Sequence, residues 1–304
     1  MTTIWAATSD GLHRIDESHS EVALSGRSVS FMAQVGPTAH AGPETRAIVD
    51  DHEIWGRADG GDWEAVASLP IRGNCLAFTD RWLIGSAEAH LFEIKDGTMV
   101  ALAPFDAAPG RDDWYTPWGG PPDTRSLAEW DEHVYVNVHV GGILRTADAG
   151  ASWTPTIDID ADVHQVTTAE GALVLAACAG GLALSADHGD SWEERTDGLE
   201  HWYARGVTVV GETVLLSTSR GPRGGEAAVY RAPLGGSTFE RCTQGLPASF
   251  DGNIDSHCLD GRPAGSTVVF GTEDGRVFRS EDAGANWEQA AEGLPRIRRV
   301  LVLP

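Results

Sequence analysis

The sequence is poor in several features that would point to particular classes of protein. Its four cysteines, Cys75, Cys178, Cys242 and Cys258, are scattered and form no CxxC pair. This spacing indicates neither a zinc knuckle nor a disulfide framework. No apolar run approaches the roughly 18 residues that a membrane-spanning helix needs. The opening MTTIWAATSDGLHRI has no basic stretch followed by an apolar core, so we expect no signal peptide and a cytoplasmic protein.

Positive charge is also scarce. The 304 residues include 22 lysines and arginines against 45 acidic residues, for a formal net charge of −23, and Lys95 is the single lysine. Binding to nucleic acid or to an anionic membrane requires a basic face, so we expect neither as a partner. A chain of this length forms two ordinary domains or one large all-β domain.

What the sequence does contain is an internal repeat. The pattern Ser/Thr-x-Asp-x-Gly-x-x-Trp occurs as 146-TADAGASW-153, 185-SADHGDSW-192 and 280-SEDAGANW-287, with a degenerate copy at 57-RADGGDW-63. The Asp, His and Ser residues of 185–192 suggest a hydrolase at first sight. A set that recurs in every repeat is more typical of structure, because an enzyme needs one active site. Asp and Gly at this spacing favour a tight turn that leads into a buried Trp.

This motif resembles the Asp-box, or BNR repeat, of sialidases, sortilin-type receptors and photosystem II assembly factors. The resemblance covers nearly the whole chain and implies an all-β propeller of four-stranded blades. Six units follow one another along the chain. The N-terminal TIWAATSDGLHRID and the C-terminal RRVLVLP join as one further, shared blade that closes the ring. We therefore predict a single domain over 1–304 with seven blades, six being the alternative, and a loop insertion at 105–124.

The resemblance does not extend to a sialidase active site, because the chain lacks the Arg-Ile-Pro signature of that family. Candidate residues must therefore come from this sequence itself. In a propeller, the loops that enter the innermost strands share one mouth of the central channel with the loops that follow the second strands. The predicted starts of the innermost strands are mostly cationic, with Arg27, Arg72, Arg125, His164, Arg205 and Arg298. The segment 253-NIDSH-257 breaks this pattern in the last blade.

We predict that this mouth binds a small anionic or polar ligand, a small molecule or glycan, because the arginine fork suits carboxylate and phosphate groups. The ligand-binding candidates are Arg27, Arg72, Arg125, Arg205, Arg298, Asn137, Asn253, His257, Asp123 and Trp118. Trp202 and Tyr115 extend Trp118 into a candidate aromatic wall. Arg–Asp pairs that merely tie neighbouring blades together are the structural alternative.

A reaction at this mouth would be an acid/base hydrolysis or elimination, glycosidase-like by resemblance only. The catalytic candidates are His164, Asp162, Asp255, His139 and Tyr203, because a His beside an Asp can act as a general base. We predict no cofactor and no metal, although His139, His164 and His257 leave a transition-metal site open. The functional alternative is a non-catalytic protein-interaction or assembly scaffold with a protein partner.

Overall fold

The computed structural model describes residues 2–16, 20–36, 42–58 and 61–303. Nearly all regular structure in this part of the chain is β-strand. The strands, in chain order, are β1 (Thr3–Thr8), β2 (Gly11–Ile15), β3 (Ser20–Ala23), β4 (Val29–Val35), β5 (Glu44–Val49), β6 (Glu53–Ala58), β7 (Glu64–Ser68), β8 (Gly73–Phe78), β9 (Trp82–Ser86), β10 (Leu91–Lys95), β11 (Thr98–Ala101), β12 (Thr124–Trp130), β13 (His133–Val138), β14 (Gly142–Thr146), β15 (Thr154–Pro155), β16 (Val163–Ala169), β17 (Leu173–Cys178), β18 (Gly181–Ser185), β19 (Glu193–Arg195), β20 (Tyr203–Val210), β21 (Thr213–Ser219), β22 (Ala228–Pro233), β23 (Glu240–Arg241), β24 (Leu259–Gly261), β25 (Val268–Gly271), β26 (Val277–Ser280), β27 (Glu288–Ala291) and β28 (Arg299–Leu303).

These strands form seven four-stranded antiparallel sheets around a central channel, so the predicted seven-bladed propeller is confirmed and six blades are excluded. The shared blade, blade one, has the order β28-β1-β2-β3, with Thr3 paired to Leu303. Blades two to seven each use four consecutive strands, beginning with β4, β8, β12, β16, β20 and β24. The C-terminal strand is the innermost strand of blade one, as the sequence predicts.

Burial follows the position of a strand within its blade. The second strands β9 and β17 are apolar and almost fully buried, whereas the outermost β19 is short and charged. The cores lie between the faces of neighbouring blades. One such core packs Leu175 and Leu182 of blade five against Val207, Leu216 and Tyr230 of blade six. Each fully buried aliphatic or aromatic side chain stabilises the fold by about 1.5–3 kcal/mol.

The Ser/Thr-x-Asp-x-Gly-x-x-Trp copies form turns between the third and fourth strands, and their hydrogen bonds are local. Ser185 Oγ donates to Asp187 Oδ1 (2.8 Å) and accepts the N–H of Gly189 (2.7 Å), whose φ is +93°. Asp187 in turn accepts the N–H and the hydroxyl of Ser191, at 2.9 and 2.6 Å. Equivalent bonds recur at 146–153 and 280–287. These three segments, the repeat turns, are structural, and they lie on the face opposite the predicted mouth.

The degenerate copy at 57–63 includes residues 59 and 60, which lie outside the described residues. The loop insertion predicted at 105–124 falls in the connection between β11 and β12. It begins with a short helix, α1 (Ala103–Asp106), and Phe105 of that helix is buried edge-on against Trp153, with 5.1 Å between ring centroids. No helix among the described residues is both long and apolar enough to cross a membrane.

Candidate functional site

A β-bulge near the start of the innermost strand shapes the channel mouth in five blades. The partner register shifts by one residue in each of these strands, and the extra residues are Ser30, Asn74, Arg125, His164 and Arg205. A bulge re-aims the extra side chain and commonly lies beside a functional site. Three of these five residues were among the cations predicted for the mouth. In blades two and three, however, Ser30 and Asn74 take the bulge positions, and Arg27 and Arg72 precede them.

The mouth encloses a cavity of about 250 Å³. Its charged lining comprises four arginines and two aspartates, Arg72, Arg125, Arg205, Arg298, Asp123 and Asp255. Arginine therefore outnumbers carboxylate at this spot in a chain whose net charge is −23. Ser30, Phe31, Asn74 and Ser256 complete the lining together with His257. Sequence reasoning missed these four. An alignment of the innermost strands (VSFM, GNCL, TRSL, VHQV, ARGV) would have indicated Ser30 and Asn74.

Most of the mouth arginines have partners within the fold. Arg72 pairs with Asp123 at 2.9 Å, and Arg205 pairs with Asp255 at 3.0 Å. Arg298 donates to the hydroxyl of Ser28 (2.9 Å). These contacts agree with the blade-tying alternative for part of the arginine set.

Arg125 is different, because its guanidinium makes no hydrogen bond or ion pair with any residue that the structure describes. Burial lowers the pKa of Arg125, and the neighbouring charge of Arg205 lowers it further. Arginine nevertheless remains charged in proteins. The mouth therefore holds a half-buried cation with no direct partner, on which the carboxylates of Asp123, Asp255 and Asp162 act only through space. An anion in direct contact would stabilise a cation of this kind further.

Residues 255–257 form the floor of the cavity. Ser256 Oγ lies 3.2 and 3.0 Å from the carbonyl oxygens of His164 and Arg205. The backbone N–H of His257 donates to Gln165 Oε1 (2.7 Å), and its ring reaches the carbonyl oxygen of Arg125 (3.0 Å). This segment thus joins blade seven to blades four, five and six. The innermost strand of blade seven was predicted to begin with these residues, but β24 begins only at Leu259 because they cross toward the other blades.

Beside this cavity lies a second group, the His–Asp–His cluster, formed by His139, Asp162 and His164. His139 Nε2 is 3.0 Å from Asp162 Oδ1, and His164 Nε2 is 3.6 Å from Asp162 Oδ2. Trp118 stacks on His139 with 5.1 Å between centroids, and Tyr203 lies 4.7 Å from the ring of His164. Four of the five predicted catalytic candidates, His139, Asp162, His164 and Tyr203, lie together here, whereas the fifth, Asp255, lines the neighbouring cavity.

The protonation of His164 follows from its surroundings. The side chain is fully buried, and its Nδ1 lies 2.6 Å from the carbonyl oxygen of Ala204, which can only accept a hydrogen bond. Burial lowers the pKa of His164 to about 3, with a further contribution from Arg205. Burial raises the pKa of Asp162, but the contacts with His139 and His164 outweigh this and bring it below its usual value. The ring of His164 is therefore neutral, with a bare Nε2 facing a carboxylate.

The remaining predicted residues make contacts within the fold. His257 is separate from the His–Asp–His cluster, and its ring packs edge-on against Phe31 at 4.8 Å. Asn137 donates to the carbonyl oxygen of Val163 (3.0 Å). Asn253 is buried and hydrogen-bonded to Ser219 and Pro222. Arg27 pairs with Asp50 and Glu53 of its own blade. We do not include Asn137, Asn253 or Arg27 in the candidate site.

A second group of histidine and carboxylates, Glu200, His201 and Glu226, provides a contrast. His201 Nε2 pairs with Glu226 at 2.8 Å, and Glu226 also pairs with Arg220 at 2.5 Å. Glu200 forms an ion pair with Arg241. Both carboxylates are exposed, so water and arginine satisfy this group without a ligand.

Comparisons with known proteins agree with the fold. No family model matches the chain, and no curated protein matches it. Among solved structures, the chain is similar to a GH74 xyloglucanase from Xanthomonas campestris, with 16% identity and a TM-score of 0.68. The match covers 95% of this chain but only 52% of that enzyme.

Two further similar structures come from proteins of other kinds. One is YCF48 bound to a D1 peptide, with 14% identity, a TM-score of 0.58, and coverage of 88% of this chain and 83% of that one. The other is the WD40 β-propeller domain of Doa1, with 13% identity, a TM-score of 0.63, and coverage of 99% and 87%. At such identities these likenesses show the β-propeller fold alone.

Proposed function

We propose that this propeller binds a small anionic ligand in the mouth of its central channel. The observation that carries the proposal is Arg125, a half-buried guanidinium with no hydrogen-bond or ion-pair partner among the described residues. Arg205 and Arg298 line the same cavity and supply further donors. A planar guanidinium binds carboxylate or phosphate through two parallel hydrogen bonds, which gives both energy and orientation.

The cavity limits the size of the ligand. A volume of about 250 Å³ lies below the usual range for drug-sized ligands, which is about 300–1,000 Å³. Sugar acids, small dicarboxylates and phosphate monoesters fit this limit. Ser30, Asn74 and Ser256 offer neutral hydrogen-bonding groups to the rest of such a molecule. The ligand class is therefore a small anion that also carries polar groups.

Catalysis remains a further prediction. His164 is fully buried, so a hydrolase or lyase would use its imidazole only through contact with Asp162. Asp255 already pairs with Arg205 and Arg296. The assignment of His164, Asp162, Asp255, His139 and Tyr203 as acid/base residues is tested by turnover of the ligand that the screen below identifies.

The test is calorimetric titration of the whole chain with sulfate, phosphate, a sugar acid, a dicarboxylate and, as a neutral control, the uncharged sugar. We expect one of the anions to bind, and Arg125→Met to weaken its binding about 10- to 100-fold, the value of a charged hydrogen bond. The matched control is Arg27→Met, because Arg27 was predicted at the same mouth but pairs within its own blade. Equal affinity of wild type and Arg125→Met would refute the proposal.

A protein-interaction scaffold is the second candidate, and one observation favours it. Trp118, Trp202 and Tyr115 are 69%, 57% and 44% exposed, and all three lie on loops that enter innermost strands at the mouth. Exposed aromatic side chains are typical of interaction hot spots. A peptide that binds wild type but not Trp118→Ala/Trp202→Ala, with its affinity unchanged by Arg125→Met, would favour the scaffold over the anion site.

A further inference from the structure

We propose that His139, Asp162 and His164 form a binding site for one divalent transition-metal ion. The ligand atoms of these three side chains all lie within 4.8 Å of one another. They come from the end of β13 and from the start of β16, so two blades hold the set in place. The proposal differs from the histidine triad considered from the sequence, because Asp162 takes the place of His257.

The strongest evidence is the nitrogen of His164 that has no partner. Nδ1 lies 2.6 Å from the carbonyl oxygen of Ala204, so Nδ1 carries the proton and Nε2 carries a lone pair. Nε2 is buried, makes no hydrogen bond with the described residues, and faces the Asp162 carboxylate at 3.6 Å. Two acceptors that face each other repel unless a cation lies between them, and on the His164 side this contact is fully buried. A backbone carbonyl that fixes the tautomer is the usual second contact of a metal-ligating histidine.

The spacing agrees with such an ion. Metal–nitrogen and metal–oxygen bonds of about 2.0–2.2 Å in a tetrahedron place neighbouring ligand atoms roughly 3.3–3.6 Å apart. His139 Nε2 lies 3.0 Å from Asp162 Oδ1 and His164 Nε2 lies 3.6 Å from Asp162 Oδ2, so each imidazole approaches its own oxygen of the carboxylate at a distance close to this range. Asp162 occupies the left-handed region, with φ of +46°, at the end of a short 3₁₀ turn. A non-glycine residue is uncommon there, and its conformation turns the carboxylate toward both imidazoles.

The donor set indicates the class of metal. Two imidazoles and one carboxylate suit Zn²⁺, Co²⁺ and Fe²⁺, whereas Mg²⁺ and Ca²⁺ prefer ligand sets made only of oxygen. Three protein ligands leave a coordination position for water or for a second ligand. The ion would lie beside the arginine-lined cavity, because Ser256, which lines that cavity, contacts the carbonyl oxygen of His164 at 3.2 Å. The metal site nevertheless stands on its own observations and does not depend on anion binding.

The test uses the whole chain after treatment with a chelator, titrated with Co²⁺ while the visible absorption bands of the bound ion are recorded. We expect saturation at one Co²⁺ per chain, displacement of Co²⁺ by Zn²⁺, and no competition from Mg²⁺. Asp162→Asn and His164→Gln should each weaken Co²⁺ binding about 10-fold or more. The matched control is His201→Ala, which removes the histidine of the exposed Glu200/His201/Glu226 group and should leave the Co²⁺ titration unchanged.

Thermal melting of each variant establishes whether it is folded. If His164→Gln does not fold, Asp162→Asn decides the question, because the Asp162 side chain is partly exposed. The proposal would be overturned if wild type bound neither Co²⁺ nor Zn²⁺. It would also be overturned if His201→Ala abolished Co²⁺ binding while Asp162→Asn retained it. Arg125→Met separates this proposal from the anion site, since it should lose anion affinity and keep the Co²⁺ bands.

Discussion

The two faces of this propeller use similar polar residues in opposite ways. On one face, each repeat turn satisfies its own aspartate within eight residues, as Asp187 does with Ser185 and Ser191. At the mouth, the polar contacts run between blades, and the described residues offer no partner to the guanidinium of Arg125 or to Nε2 of His164. Polar groups whose hydrogen bonds are made locally, and in the same way in each copy, indicate a structural role. Polar groups from several blades that lack hydrogen-bond partners indicate a candidate site.

The largest expected effect lies on the face of the repeat turns. Trp287 is 6% exposed and packs against Phe270 with 4.9 Å between centroids. Trp287→Ala should lower the free energy of unfolding by about 3–5 kcal/mol, because it opens a cavity in the core. Urea denaturation measures this change. Anion and Co²⁺ affinities of the folded variant should match wild type, and a selective loss of either would show that the two faces are not independent.

The next effect has the opposite sign. Arg125→Met removes a half-buried cation that lacks a partner, so we expect the free energy of unfolding to rise by about 1–2 kcal/mol while anion binding falls. Arg205→Met is the comparison, because it breaks an ion pair with Asp255 and should lower the stability. Chemical denaturation of both variants without ligand is the measurement. If Arg125→Met lowered the free energy of unfolding as much as Arg205→Met does, the fold itself would already balance the charge of Arg125.

A smaller effect concerns acid. Hydrogen bonds from Ser191 and Ser185 lower the pKa of Asp187 to about 2, below the ordinary value of about 3.9. A carboxylate with a lowered pKa stabilises the fold fully above about pH 4, and this stabilisation is lost as the pH falls toward 2. Asp187→Asn should therefore be less stable than wild type at pH 6, with a difference that shrinks between pH 4 and 2. Denaturation curves across this range test it, and a constant difference would contradict it.

The smallest effect is expected at Trp118, whose ring is 69% exposed and stacks on His139. Trp118→Ala should change the free energy of unfolding by less than about 0.5 kcal/mol. Trp118→Ala and Trp287→Ala both replace a tryptophan with alanine, so a difference between their free energies of unfolding reflects where the side chain lies and not its type. A loss of several kcal/mol at Trp118 would show that the mouth loops contribute to the core.

The fold could be predicted because its signals are local and repeated. Strand patterns recur in every blade, and the repeat turns recur in blades four, five and seven. The terminal segments 3–16 and 298–304 each lacked the strands that the other supplied. The site was harder, because a β-bulge shifts side chains by one residue and leaves no local mark in the sequence. Arg27 and Arg72 seemed equivalent to Arg125, but they lie three and two residues before the bulge residues of their blades, Ser30 and Asn74. Likewise, nothing near His257 indicates that residues 255–257 cross toward the other blades.

The shared blade links closure of the ring to the channel mouth. Pairing of Thr3 with Leu303 closes a loop of almost the entire chain, and such long-range contacts form slowly. Arg298 reaches Ser28, and Arg299 reaches the carbonyl oxygen of Met32, only after this pairing. Closure of the shared blade therefore brings Arg298 to its place in the lining of the cavity. A ligand that bridges Arg298 and Arg125 would slow the opening of the ring, so its concentration should set how long the native state survives before it unfolds.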